Sequence, residues 1–111
     1  LLAGFSQGGA MALEVGLRYE KKLAGLLILS AYLLRENSIA EEASDANKGT
    51  EILQCHGEYD PVVPLPMAQT CWKSLEGFGY DIDFKIYPMD HSLIQEEIEV
   101  IGKWIAAKLA G

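Results

Sequence analysis

The feature that most constrains the fold is a regular alternation between short, densely apolar segments and longer segments with helical spacing. Residues 23–31 (LAGLLILSA) form a nearly continuous apolar run, and residues 51–57 (EILQCHG) form another. Such runs are typical of strands buried on both faces of a parallel sheet. The strand end LLAG at 1–4 and the alternating segment YDIDFKIYP at 80–88 complete four predicted strands. The last of them ends on Pro88, which suits a strand near the sheet edge.

Helical spacing occupies the segments between these strands. Residues 7–22 predict a helix directly after the first strand. Residues 66–79 predict a second helix, with Pro66 in its first turn and Gly77 and Gly79 beyond its end.

The last helix is predicted over 93–109. Its apolar residues recur at steps of three and four and are expected to face the sheet: Ile94, Ile98, Ile101, Ile105 and Leu109. Ser92 and Gln95 have the spacing of a capping box, which marks a helix start. The order of elements predicts an α/β fold with a parallel sheet and flanking helices, and 111 residues suit one domain at most.

Residues 32–50 show no strand pattern and form an unusually long connection. Connections of this length in a compact domain are often functional. We expect a surface excursion near the ligand-binding end of the sheet, with Ser38 and Glu41 capping a short helix.

Composition limits the classes of partner. The net charge is −7, from 9 basic and 16 acidic residues, which argues against binding to nucleic acid or to an anionic membrane surface. Cys55 and Cys71 show neither metal-ligand spacing nor a redox motif, so two reduced, buried or half-buried thiols are expected. The sequence has no signal peptide and no apolar run of membrane-spanning length. These features predict a cytoplasmic protein without stable membrane insertion, metal or cofactor.

The segment Gly4-Phe5-Ser6-Gln7-Gly8 fits the pattern G-x-S-x-G between a predicted strand and a predicted helix. That context indicates a nucleophile elbow, a sharp turn that exposes the serine. Side chains at Gly4 and Gly8 are expected to collide with neighbouring elements. Ser6 then lies at a helix N-terminus, where the backbone N–H of Gln7 can donate to a developing oxyanion.

A serine hydroxyl requires a base, and the chain has two histidines. His91 follows the last strand, whereas His56 lies within the end of its own strand. We favour His91 as the base and expect the ring of His56 to bond locally and hold the acid-bearing turn. Asp60 is the favoured orienting acid. Ser6, Asp60 and His91 each follow the carboxyl end of a different strand, in the order expected of an α/β-hydrolase triad.

Three other acidic residues compete with Asp60 for the orienting role. Glu58 lies on the same turn, Asp90 adjoins the histidine, and Asp83 lies in mid-strand. Asp90 is too close in sequence to reach its neighbour's Nδ1 comfortably. Glu58 and Asp90 are expected to be solvated loop acids.

The motifs AGFSQGGAMAL, LQCHGEYDPVVP and YPMDHS together resemble the phospholipase/carboxylesterase family of α/β-hydrolases, over essentially the whole chain. This resemblance implies Ser6 as nucleophile, Asp60 as orienting acid, His91 as general base and acid, and the Gln7 N–H as one oxyanion donor. It also implies a serine esterase, either a carboxylesterase or similar to an acyl-protein thioesterase, with lipid-like ester or thioester substrates. The short spacing from serine to aspartate implies no cap domain and an open site.

The chain departs from the family pattern in two ways. Asp90 precedes the histidine where a small or apolar residue is expected. The chain also corresponds to the C-terminal half of the family fold, so 1–111 is expected to be a partial domain, running from nucleophile elbow to C-terminal helix. The alternative hypothesis is therefore a non-catalytic fragment, or half of a split enzyme that self-associates or requires a complementing N-terminal segment.

Overall fold

The computed structural model describes residues 1–33 and 42–110. The elements, in chain order, are β1 (Leu2–Phe5), α1 (Gln7–Gly16), β2 (Leu26–Leu29), a short 3₁₀ turn (Asp45–Asn47), β3 (Ile52–Gly57), α2 (Leu65–Gly77), β4 (Ile82–Tyr87) and α3 (Gln95–Ala110).

The four strands form one parallel sheet in the order β1-β2-β3-β4. Every residue of β2 and β3 is buried, whereas β1 and β4 contain exposed positions. The continuous apolar runs therefore correspond to the two central strands, and the alternating segment to an edge strand of the described sheet. The predicted α/β architecture is confirmed.

Helices cover both faces of this sheet because successive side chains of a strand point to opposite sides. Leu26 and Ile28 of β2 pack with α1 and α2, in a cluster that includes Leu13 and Leu75. The intervening β2 residues point the other way and pack with α3. This second cluster contains Leu27, Leu29, Leu53, Cys55, Tyr87 and Met89, with Ile94, Ile101, Trp104 and Ile105 against it.

The inward face of α3 differs from the predicted stripe. Ile98 and Leu109 are 46% and 68% exposed, while Glu97 is fully buried. The predicted capping box is also wrong, since α3 begins at Gln95 and the Ser92 hydroxyl donates to Asp90 Oδ1 instead (2.6 Å).

The predicted helix over 7–22 is too long. It ends at Gly16, where a Cβ would lie 2.5 Å from the Leu26 side chain. The next backbone bond is tighter than a helical one, from Arg18 N–H to the Val15 carbonyl. The chain then turns toward β2, and its following backbone groups bind a side chain from a distant segment rather than continuing the helix.

That side chain is Asn47, which is fully buried. Its Nδ2 donates to the carbonyls of Tyr19 (3.1 Å) and Lys21 (2.9 Å). Its Oδ1 accepts from the Leu23 N–H and from the Thr50 hydroxyl, both at 2.8 Å. Asn47 thus holds the connection between α1 and β2 at the amino end of the sheet. The segment around Asn47 therefore lies away from the ligand-binding end of the sheet, where the excursion over 32–50 was expected. The predicted cap at Ser38 and Glu41 falls outside the described residues.

We expect Asn47→Ala to lower the free energy of unfolding by about 2 kcal/mol, because buried backbone groups of the α1–β2 connection lose their partner. Urea denaturation measures the change. Thr70→Ala is the control, since the Thr70 hydroxyl bonds to Pro66 on an exposed part of α2 and its loss should cost less than about 0.5 kcal/mol. Equal effects of the two substitutions would contradict the central role of Asn47.

Candidate active site

Ser6 lies at the sharp turn between β1 and α1. Its backbone has φ 57° and ψ −121°, a conformation that residues other than glycine rarely adopt. Its N–H donates to the Leu29 carbonyl of β2 (2.8 Å), and its own carbonyl accepts from the Ala10 N–H of α1 (3.0 Å). The strained turn expected at Ser6 is present, and it is anchored to both neighbouring elements.

Gly4 allows this turn to be so tight. A Cβ at Gly4 would lie 2.1 Å from the carbonyl oxygen of Gly8, a backbone atom that cannot move aside cheaply. The expectation that Gly8 also excludes a side chain is wrong, because a Cβ there meets nothing within 4 Å. The second close approach in the elbow is at Gly9 instead, where a Cβ would lie 2.7 Å from the Ala31 side chain.

Asp60 lies in the turn after β3, and its side chain is fully buried. Both Val62 N–H and Val63 N–H donate to its Oδ1, each at 2.8 Å. Its other oxygen, Oδ2, lies 2.6 Å from Nδ1 of His91. Every oxygen of this buried carboxylate therefore has a donor.

These donors determine the charge of Asp60. Burial by itself would raise the pKa of this carboxyl group, but the hydrogen bonds from Val63, His91 and Val62 together lower the pKa of Asp60 below its ordinary value. Asp60 is therefore a carboxylate at neutral pH.

His91 lies in the connection between β4 and α3 and joins the other two residues. Its Nε2 lies 2.8 Å from Ser6 Oγ. Because the Asp60 carboxylate only accepts, Nδ1 of His91 donates to it, and the Nε2 lone pair then faces the serine hydroxyl. The ring of Phe5 packs against the imidazole with a centroid distance of 4.9 Å. The His91 side chain is 16% exposed, so the ring is held by its neighbours and still reaches the surface.

The loops that carry the acid and the histidine are tied together beyond the end of the sheet. The Glu58 N–H donates to the Tyr87 carbonyl (2.8 Å), and the Tyr59 N–H donates to the Met89 carbonyl (3.1 Å). A Cβ at Gly57 would lie 2.4 Å from backbone oxygens of Met89 and Asp90. The absence of a side chain at Gly57 thus lets the two loops approach closely.

The competing acids lie elsewhere. Glu58 and Asp90 are both exposed, and Asp90 accepts from the Ser92 hydroxyl. Asp83 is exposed on β4 and lies 3.5 Å from Lys85 Nζ. Within residues 1–33 and 42–110, Asp60 is the acidic residue that hydrogen-bonds to the imidazole of His91. His56 is fully buried and bonds to the Val63 carbonyl, as expected for a ring that holds the acid-bearing turn.

An open depression of about 360 Å³ adjoins the serine. It is lined by Phe5, Ser6, Gln7, Tyr32, Val62 and Val63. Most of its side chains are apolar, and both valines come from the loop that holds the acid.

The sequence interpretation missed two contributions to this site. The amides of Val62 and Val63 both bind the acid, and the ring of Phe5 supports the histidine. The DPVVP stretch gave a partial signal for the first, because an aspartate two or three residues before free N–H groups commonly accepts from them in a turn. Only the tertiary fold brings Phe5 to His91.

Two further findings concern the part of the chain that the structure describes. Within it, no group of three or more His, Cys, Asp or Glu side chains is arranged to hold a metal ion, and no helix is long and apolar enough to cross a membrane. Cys55 and Cys71 are both buried and neither forms a disulfide, as predicted.

A parallel sheet with helices on both faces and a nucleophile turn at the carboxyl end of a strand defines the α/β-hydrolase class. The sequence profile of the Phospholipase/Carboxylesterase family matches residues 1–109, and the chain belongs to that family. Acyl-protein thioesterase 1 of Gibberella zeae is 41% identical over 112 residues, which cover 98% of this chain and 48% of that protein. Carboxylesterase SOBER1 of Arabidopsis thaliana is 35% identical over 99% of this chain and 49% of its own length.

Solved structures show the same relationship. The crystal structure of Arabidopsis thaliana SOBER1 matches with a TM-score of 0.89 at 34% identity, covering 96% of this chain and 51% of that one. The structure of Zea mays acyl-protein thioesterase 2 matches with a TM-score of 0.87 at 28% identity, covering 96% of this chain and 55% of that one. The chain spans about half the length of the curated relatives that it matches.

Proposed function

We propose that the protein hydrolyses carboxylic esters or thioesters through a covalent acyl-enzyme, with Ser6 as nucleophile, His91 as general base and acid, and Asp60 as orienting acid. The observation that carries the proposal is the continuous series of contacts from Ser6 Oγ to His91 Nε2 and from His91 Nδ1 to the Asp60 carboxylate. The names of its relatives, carboxylesterases and acyl-protein thioesterases, support the same chemistry.

In the proposed mechanism, Nε2 of His91 takes the proton of the Ser6 hydroxyl as Oγ attacks the acyl carbon. The tetrahedral intermediate bears an oxyanion, to which the Gln7 N–H at the start of α1 donates. The imidazolium then protonates the leaving alkoxide or thiolate, and the acyl group remains on Oγ. Water, deprotonated by His91, attacks this ester and releases the carboxylic acid and free Ser6. Asp60 keeps its negative charge and stabilises the imidazolium.

The substrate class follows from the surroundings of Ser6. The depression next to it is open and combines polar groups with the apolar side chains of Phe5, Val62 and Val63, which suits the acyl part of a small or lipid-like ester or thioester. The mechanism calls on no metal or cofactor, and we place the protein in the cytoplasm.

A fluorophosphonate probe tests the nucleophile directly. We expect it to label the protein at Ser6, because this hydroxyl lies against His91 Nε2, and we expect Ser6→Ala to abolish labelling. Mass spectrometry of the labelled peptide locates the adduct. Ser92→Ala is the control, since its hydroxyl bonds to Asp90 and has no activating base, and it should label like the wild type. Undiminished labelling of the Ser6→Ala protein would refute the assignment.

A second candidate is that this chain is one half of a split enzyme, or a non-catalytic fragment. Among the described residues β1 pairs only with β2, and α1 exposes the apolar side chains of Met11 and Val15, with Tyr19 exposed just beyond its end. Open strand edges favour association with further chain. Native mass spectrometry distinguishes the two candidates: a reactive monomer of 111 residues supports the first, and an unreactive chain that gains labelling with a complementing segment supports the second.

A further inference from the structure

A second imidazole lies against the proposed acid. His56 is the penultimate residue of β3 and is fully buried. Its Nε2 lies 2.7 Å from the Val63 carbonyl oxygen and 3.7 Å from Asp60 Oδ2. The imidazole of His56 thus contacts both the loop backbone and the side of Asp60 that His91 uses.

The hydrogen bond to Val63 determines which nitrogen of His56 carries the proton. A carbonyl oxygen only accepts, so Nε2 donates and is protonated. The other nitrogen, Nδ1, is buried and has no hydrogen-bond partner among the described residues. A proton there would place an unpaired N–H in an apolar environment, which is unfavourable. The hydrogen bond therefore places a proton on Nε2 of His56 and leaves no acceptor for one on Nδ1.

Val63 connects this imidazole to the acid. Its carbonyl accepts from His56 on one side, and its N–H donates to Asp60 Oδ1 on the other. Holding this carbonyl restrains the backbone rotation of Val63 at its C-terminal side, while the bond to Asp60 holds the N–H side, so the two contacts together keep the residue in place. Asp60 can rotate about its side-chain bonds only by breaking this contact. The other oxygen, Oδ2, then stays in hydrogen-bond contact with His91 Nδ1.

We propose that His56 is a positioning residue that holds the Asp60 carboxylate in line with His91 Nδ1 by fixing the Val63 backbone. The proposal rests on the proposed function of the triad, and it adds a residue that acts on the acid without touching substrate. Its Nε2 also lies 3.7 Å from Oδ2, on the side of the acid that His91 uses.

The chain offers a matched control for the substitution. Gln54 is on the same face of β3, two residues before His56, and is also buried. Its Nε2 donates to the Ala68 carbonyl of α2 (3.2 Å), so it makes the same kind of bond without a connection to Asp60. Gln54→Leu should lower stability and leave the triad unchanged.

The experiment compares His56→Phe, which keeps an aromatic ring and removes the donor, with His56→Gln, whose side-chain amide reaches about as far as imidazole Nε2. Two readouts are measured: the fluorophosphonate labelling rate, and the far-downfield proton resonance of the His91 Nδ1–H. We expect His56→Phe to slow labelling about 10- to 100-fold and to shift or broaden the resonance. His56→Gln should restore the labelling rate to within about threefold of the wild type. In a steady-state ester assay, His56→Phe should lower kcat more than it raises KM.

Either of two results would overturn the proposal. One is a folded His56→Phe protein with the wild-type resonance and labelling rate. The other is an effect of the same size in Gln54→Leu. If His56→Phe does not fold, the nitrogen chemical shifts of His56 in the wild type decide, since a proton on Nδ1 contradicts the inferred tautomer. The resonance needs no substrate, so a wild-type chain that fails to label would refute the proposed function and leave the test of His56 intact.

Discussion

Replacement of Asp60 by asparagine is expected to lower kcat about 10⁴-fold, the largest effect of any substitution outside Ser6 and His91. The Val62 and Val63 N–H groups both need an acceptor, so the asparagine oxygen must take the place of Oδ1. Its NH₂ group then faces His91 Nδ1. That nitrogen has to accept, which moves the imidazole proton to Nε2, where it blocks removal of the Ser6 proton.

The loss can be measured as kcat for a p-nitrophenyl ester and as the rate of fluorophosphonate labelling, in a preparation whose wild type reacts. Asp90→Asn is the control, because Asp90 is exposed and directly precedes the histidine without contacting its ring; it should retain kcat within about threefold. If Asp60→Asn keeps more than a tenth of the wild-type rate, Asp60 is not the orienting acid.

The sequence predicts the architecture well because the strongest signals are local and periodic. The two fully buried strands appear as unbroken apolar runs, and the edge strand β4 as an alternating one. The residues of the candidate site could also be predicted from the sequence, for a related reason. In a parallel sheet the carboxyl ends of all strands meet at one edge, so Ser6, Asp60 and His91 could be assigned to one place without knowledge of any distance.

The errors arise where a distant segment decides a local conformation. The pattern continued α1 to residue 22, but Asn47 binds the backbone beyond Gly16 from a position about 30 residues away in the chain. The expectation for Gly8 failed because a helix can leave one side of its first turn open to solvent. Contacts of this kind depend on tertiary packing, which a periodic pattern does not contain.

The burial of Glu97 is the clearest of these differences, because the predicted stripe of α3 consisted of apolar residues alone. The carboxyl oxygens of Glu97 are buried without a well-formed hydrogen bond among the described residues, and the Ile94 backbone supplies only a weak one. The neighbouring Cys55 thiol and Tyr87 hydroxyl are buried too. The pKa of each is raised to about 12, mainly by burial and to a smaller extent by Glu97. Burial also raises the pKa of Glu97 to about 7, which the backbone of Ile94 only partly offsets.

A raised folded-state pKa has a definite sign for stability. The unfolded chain releases the Glu97 proton near pH 4.5, whereas the folded protein keeps it until about pH 7. Between these values the folded state binds more protons, so its stability falls as the pH rises and levels off above pH 7. Asp60 acts in the opposite direction and outside this window, because its lowered pKa stabilises the fold above about pH 4 and that contribution is lost only in stronger acid.

We therefore expect Glu97→Gln, which stays neutral at every pH, to gain stability relative to the wild type by on the order of 3 kcal/mol more at pH 8 than at pH 4.5. Urea denaturation of both proteins at the two pH values measures the difference, and contributions from all other titrating groups cancel in the comparison. Glu96→Gln, on the exposed side of the same turn of α3, should show no such pH dependence. If the gain from Glu97→Gln is the same at both pH values, Glu97 is ionised in the folded protein throughout, and a cation or donor must then face it inside the core between α3 and the sheet.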